Sequence, residues 1–158
     1  MESESKIDRL AYSWHIFSHT QELIKLADYK IRYLFLVSSI SATFILRDSA
    51  ILDNLDVFKI LFIISFMAFL TFASLTIKPR VTKSKNSPTL IYHKDILFKG
   101  DRNEYAKSFK ETSDQELEDD LLYQIYEISA IAESKYKYYN YSFYAMCVQI
   151  VLFFIVLV

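Results

Sequence analysis

The stretch "ILFIISFMAFLTFASLTI", Ile60 to Ile77, decides the fold. It carries no charge, and as a helix rising 1.5 Å per residue it would reach roughly 27 Å, close to the hydrocarbon thickness of a bilayer. A soluble helix keeps a polar face for water, and this one has none wide enough. Lys59 stands at its start. Two other blocks have the same character. "YLFLVSSISATFIL" (Tyr33–Leu46) is shorter, softened by hydroxyls, and bracketed by Arg32 and Arg47, which can snorkel. "YSFYAMCVQIVLFFIVLV" covers Tyr141–Val158. The expectation is an all-α membrane protein with three transmembrane helices, at about 33–46, 58–77 and 141–158.

Composition agrees. With one glycine, two prolines and 53% hydrophobic residues in 158, the chain lacks the turn chemistry of β-rich folds and phosphate-cradling loops. A net charge of −1 gives no overall field for nucleic acid. The lone Cys147 excludes an internal disulfide and a Cys-based zinc site. The charged start "MESESKIDRL" has no apolar core of a signal peptide. No G-x-S-x-G, Walker loop or Cys–His pair supports catalysis, so no enzyme is expected.

Loop charges set the orientation. "RDSAILDNLD" (Arg47–Asp56) has one basic and three acidic residues, whereas Lys78–Asn140 carries 11 Lys and Arg, opening with "KPRVTKSK". The positive-inside rule then places residues 1–30 and 78–140 in the cytoplasm and the C-terminus outside. "KPRVTKSK" reads as a topological signal or as a contact for a ligand or anionic lipid. Four segments follow: an N-terminal cytoplasmic helix (1–30), a transmembrane hairpin (31–77), a cytoplasmic sensor segment (78–140) and the third transmembrane helix (141–158).

Two of the spans continue into cytoplasmic rods. Ser5-x-x-Asp8 suggests a capping box, and Ile7, Leu10, Trp14, Phe17 and Ile24 mark an apolar stripe that runs unbroken toward the first span. A single rod from about residue 5 to 46 is expected. A second begins near Thr112 or Ser113, where "TSDQELEDD" offers a cap and acidic first turns; Leu117, Leu121, Ile125, Ile128 and Ala132 form its stripe. Between them, a short helix is expected around "RNEYAKSF" (Arg102–Phe109).

Charges interrupt both stripes. Continuing the spacing places Asp28 on the first and Lys135 on the second, about one turn inside the membrane, with Arg80 emerging at that level. Two readings stand. Asp28 and Lys135 form an ion pair that fixes register, or Lys135 and Arg80 face an anionic ligand with Asp28 orienting them. An unpaired charge on such a face would be costly.

Within the spans, Ser38/Ala42 and Ser39/Thr43 are small-residue pairs suited to close packing or, in an oligomer, to a water path. Gln149, near the middle of the third span, requires a hydrogen-bond partner across helices or a place facing a pore. Three spans enclose no pathway easily, so a channel would need a ring of about four copies. His15 and His19 lie one turn apart, without the Glu of a zinc-protease motif; a surface pair is the simpler reading and no metal is expected. "KYKYYNYSFY" (Lys135–Tyr144) reads as an interfacial aromatic belt, with a stacking role left only to its first two residues.

The order of four features carries a resemblance: "ADYK" (Ala27–Lys30) before the first span, "PR" (Pro79–Arg80) after the second, then "EYAKSF" (Glu104–Phe109) and "LLYQIYEISAIAESKY" (Leu121–Tyr136) leading into the third. Over roughly residues 20–155 the chain resembles the membrane-spanning Pycsar-type antiphage effectors of bacteria. The resemblance implies an effector in the bacterial inner membrane, and the expected assembly is the homo-oligomer of about four copies that a pathway would need. It would disrupt the membrane in response to a nucleotide made by a neighbouring cyclase or nucleotidyltransferase. That ligand would be a cyclic mononucleotide or a short oligonucleotide that could hold the channel shut; no other cofactor is implied. Where the family tends to have an aromatic–glycine stretch, this chain has "LIYHKDILF" (Leu90–Phe98), whose His93 and Lys94 suit a more highly charged ligand. The candidate sensing residues are Asp28, Lys30, Arg80, His93, Lys94, Gln124, Lys135 and Tyr136, with Ser39, Thr43 and Gln149 for the pathway or its packing. The alternative is a membrane-anchored module that docks a cytosolic partner, such as a nucleotidyltransferase, without forming a pore.

Overall fold

The computed structural model describes residues 2–47, 56–78, 96 and 101–157. Four helices lie among the described residues: α1 (Glu2–Arg47), α2 (Val57–Ile77), α3 (Arg102–Glu111) and α4 (Asp114–Leu157). None contains glycine or proline, which is why α1 and α4 continue unbroken for 46 and 44 residues. At about 1.5 Å per residue each is roughly twice as long as a bilayer core is thick. The expected continuity of both rods therefore holds. The expected start at Ser5 does not: α1 is already helical at Glu2, so Ser5 lies inside the helix and is not its cap.

The helix ends are specified locally. Asp56 caps α2, its carboxylate accepting from the Val57 amide at 2.6 Å, and the Lys78 amide closes the far end by donating to the Ser74 carbonyl at 2.9 Å. The expected short helix is α3, with Glu104 in its first turn and Lys110 in its last, each favourable to the dipole. The exposed Lys107–Glu111 pair at 3.9 Å adds little. Before α4, Ser113 and Glu116 form a reciprocal capping box. The Ser113 amide and hydroxyl each donate to the Glu116 carboxylate at 3.0 Å, and the Glu116 amide donates back to the Ser113 hydroxyl at 3.4 Å. Those bonds hold the Glu116 carboxyl below its ordinary value of 4.5, the amide donor being the larger cause.

The chain divides into two compact units. Met1–Leu23 with Arg80–Ala132 forms the first, where Ser13, Phe17 and Thr20 of α1 and Leu121, Gln124, Ile128 and Ala132 of α4 are buried. Of the expected α4 stripe, Leu121, Ile128 and Ala132 are buried and Leu117 and Ile125 half-buried, while Gln124 takes an inward position beside them. The α1 stripe is rotated: Leu10 and Trp14 are exposed (36% and 56%), while Ser13 and Thr20 take inward positions. Thr20 manages this by donating its hydroxyl to the Ile16 carbonyl of its own helix at 2.9 Å.

The second unit, Ile24–Pro79 with Glu133–Val158, is a three-helix bundle. Ile31 and Leu34 of α1 meet Phe69 and Ala73 of α2 and Met146 of α4 in one cluster; Ala42, Ile45, Phe62 and Leu152 form the next. Early α1 residues therefore pair with late α2 residues, so α2 runs antiparallel to the parallel pair α1 and α4. Among the described residues, two helices are long and apolar enough to cross a membrane, α2 at mean hydropathy 2.4 and α4 at 1.6, yet only 28% and 22% of those windows are buried within the chain. Such exposed apolar surface needs lipid or other copies to cover it.

Candidate functional site

The site is built where α1 and α4 meet in the second unit. On α1, Asp28 stands between Ala27 and Ile31, both fully buried; on α4, Lys135 follows Ala132 by one turn and is itself 5% exposed. The two face each other, and the Lys135 ammonium donates to the Asp28 carboxylate. Asp28 keeps 35% of its side chain accessible, against 6% for Lys135. The lysine charge is thus neutralised inside the packing while the carboxylate opens to the rim. A buried ammonium without that carboxylate would be strongly unfavourable.

Beside the pair, Lys30 is exposed and lies 6.0 Å and 5.9 Å from the ring centroids of Tyr136 and Tyr139. Cation–π contacts of this length hold the ammonium over the rings without cancelling its charge. The two rings pack edge to face at 6.4 Å. With Lys135 matched by Asp28, Lys30 presents an exposed cation at this rim, next to a phenolic surface able to stack a planar group and donate hydrogen bonds.

Deeper, Gln149 is fully buried and all its bonding is to α1. Its amide oxygen accepts from the Ser38 hydroxyl at 2.5 Å; its nitrogen donates to the Ser38 carbonyl at 3.0 Å and to the Ser41 hydroxyl at 2.8 Å. Ser41 in turn donates to the Ser38 carbonyl at 2.9 Å. This closed network leaves Gln149 facing no pathway within the chain, and it is the interhelical bond one reading of the sequence required. Ser38 and Ala42 are packed inside, at 0% and 4% exposure. Ser39 and Thr43 are exposed, their hydroxyls donating to the Leu36 and Ser39 carbonyls at 3.0 and 2.8 Å.

Of the residues singled out from sequence, Asp28, Lys30, Lys135 and Tyr136 come together, and the first reading of the charged pair is the one realised. Gln124 is buried in the first unit at 5% exposure. Arg80, His93 and Lys94 lie outside the described residues. His15 and His19 are exposed. Two contributors escaped the sequence reading. Tyr139, assigned only to the belt, completes the Lys30 contact, and Ser41 completes the Gln149 network. The i, i+3 spacing of Ser38 and Ser41 places two hydroxyls on one face, a signal for a buried partner.

A family model described as PycTM, Pycsar effector protein domain, matches residues 12–158. Neither the curated proteins nor the solved structures contain a match.

Proposed function

The chain belongs to the Pycsar effector family, and from that premise we propose that it is a bacterial inner-membrane antiphage effector. In this reading a nucleotide signal acts on its cytoplasmic helices and governs an oligomeric pore. One observation carries the mechanism: α1 and α4, each far longer than a bilayer is thick, are bonded to one another at two depths, through Asp28–Lys135 and through Ser38–Ser41–Gln149. Side-chain bonds and shared apolar clusters keep α1 beside α4 along its apolar half. Wherever α4 crosses, α1 crosses with it, which supports three spans per chain even though α1 is less apolar than its neighbours.

Within the second unit, the ligand's phosphate would meet Lys30 and its base the Tyr136 ring. Asp28 holds Lys135 in place and would accept from a ribose hydroxyl; Arg80, His93, Lys94 and Gln124 are the further sensing candidates. A cyclic mononucleotide or a short oligonucleotide fits this chemistry. Residues 1–30 and 78–140 would be cytoplasmic and the C-terminus periplasmic, in keeping with the loop charges.

The test is expression with and without the neighbouring nucleotide-making enzyme while membrane potential is followed with a voltage-sensitive dye. Depolarisation governed by that enzyme's product is expected. If the potential never changes while a cytosolic protein co-purifies, the chain is a membrane-anchored docking module.

A further inference from the structure

We infer that the second unit binds anionic lipid headgroups where it enters the bilayer, through a band of cations built on Arg32, Lys78 and Lys137. The inference rests on the membrane reading above and adds a ligand class, the anionic lipid of the cytoplasmic leaflet.

Contacts within the unit bring one slice of each helix to a common level. Asp28 faces Lys135 on a parallel helix, so Lys137 stands level with Lys30. Ala73 of α2 packs with Ile31 and Leu34 of α1. Lys78 lies five residues beyond Ala73 on an antiparallel helix, about 7 Å further along, and emerges beside residues 26–29 of α1. The slice therefore comprises residues 27–33, 74–78 and 134–141.

Five cations and one carboxylate stand in this slice, with six tyrosines. The carboxylate is Asp28, already bonded to Lys135. Lys30, Arg32, Lys78 and Lys137 are all exposed, and none joins an ion pair among the described residues. Glu133 lies just outside the slice, exposed and four residues before Lys137, and is not paired with it. Charge of one sign thus accumulates at one depth. The sequence after Lys78 adds to the excess, with Arg80, Lys83, Lys85 and Lys94 preceding the next acid, Asp95.

The surroundings select lipid. Past the slice the bundle exposes apolar side chains on every helix: Leu36 and Val37, Met67, and Val148 and Val151. Arg32 rests over the Tyr29 ring at 5.4 Å, which turns the guanidinium back toward the N-terminal, less apolar half of α1 and leaves its charge. Tyr29 and Tyr33 are exposed beside it, and Tyr141 is exposed next to Phe72 of α2, ring to ring at 5.3 Å. A lipid offers both complements at once, a phosphate level with the cations and chains against the apolar surface beneath. A soluble phosphate offers only the first. Lys30, over Tyr136 and Tyr139, is left to the nucleotide.

The test presents the full chain, purified in mild detergent, with equal amounts of phosphatidylglycerol and phosphatidylcholine and counts bound lipids by native mass spectrometry. Phosphatidylglycerol adducts should exceed phosphatidylcholine adducts severalfold. Arg32→Gln/Lys78→Gln/Lys137→Gln should bring the two toward parity with helix content unchanged. Lys107→Gln/Lys110→Gln, which removes exposed charge from α3, should leave the preference intact. Equal adducts on the parent chain, a preference that the triple variant keeps, or one that the α3 variant lowers as much, overturns the lipid site. Displacement of the lipid by excess cyclic mononucleotides also overturns it and assigns the band to the soluble ligand. Alkaline carbonate extraction separates the two readings: a chain stripped from membranes overturns both, and a retained chain without the preference overturns the lipid site alone.

Discussion

Lys135 and Gln149 are buried polar side chains of α4, and each has a specific α1 partner. Removing one partner of a buried ion pair strands the other charge, typically at 3–5 kcal/mol, and the partial exposure of Asp28 moves the expected cost to about 2–3 kcal/mol. Asp28→Asn and Lys135→Met should each destabilise by that amount in a reversible unfolding assay in bicelles. The double variant Asp28→Leu/Lys135→Met should recover much of the loss, because no charge is left unpaired. Gln149→Leu should cost about 1 kcal/mol in the same assay, the scale of an interhelical hydrogen bond in a membrane. The ion pair was legible because both residues continue apolar stripes at helical spacing. The partners of Gln149 were not, since an amide in a span announces that it needs bonds without stating to which hydroxyls.

At the scale of elements, helix starts divide into those written in polar residues and those that are not. Ser113 and Glu116 bond reciprocally, so Ser113→Ala should destabilise the first turn of α4 by about 1 kcal/mol, read as faster amide exchange there. The Glu116 carboxyl titrates lower in the folded chain than its ordinary 4.5, so its contribution is complete above that value and is lost as pH falls through the depressed folded one. Amide protection factors in residues 114–118 should therefore fall on acidification below about 4.5, and Glu116→Gln should remove that pH dependence. The long helices were legible because glycine and proline are absent from them. The inward face of α1 was misjudged because hydrophobicity alone located it: Ser13 and Thr20 occupy buried positions that Leu10 and Trp14 were expected to take. A hydroxyl bonded to its own helix can be buried cheaply.

For the whole molecule, the number of crossings is the property with the widest consequence. In a Cys147→Ser background, single cysteines at exposed positions such as Gln21 and Lys107 should react with a membrane-impermeant maleimide only after the cytoplasmic side is opened. Reaction of either in intact spheroplasts would refute the expected three-span topology. The family and the helical class were legible from the order of apolar blocks and charges, whereas the sensor chemistry was less so, because a residue such as Lys30 declares its charge but not the Tyr136 and Tyr139 rings it meets across helices. The two bonds between α1 and α4 also bound the motions open to the pair. Asp28 and Ser41 are thirteen residues apart on α1, and Lys135 and Gln149 fourteen apart on α4, so the two bonds sit at closely matched spacing along the parallel pair. Sliding one helix along the other would strain both bonds at once. A piston stroke of α1 along α4 is therefore resisted until both let go.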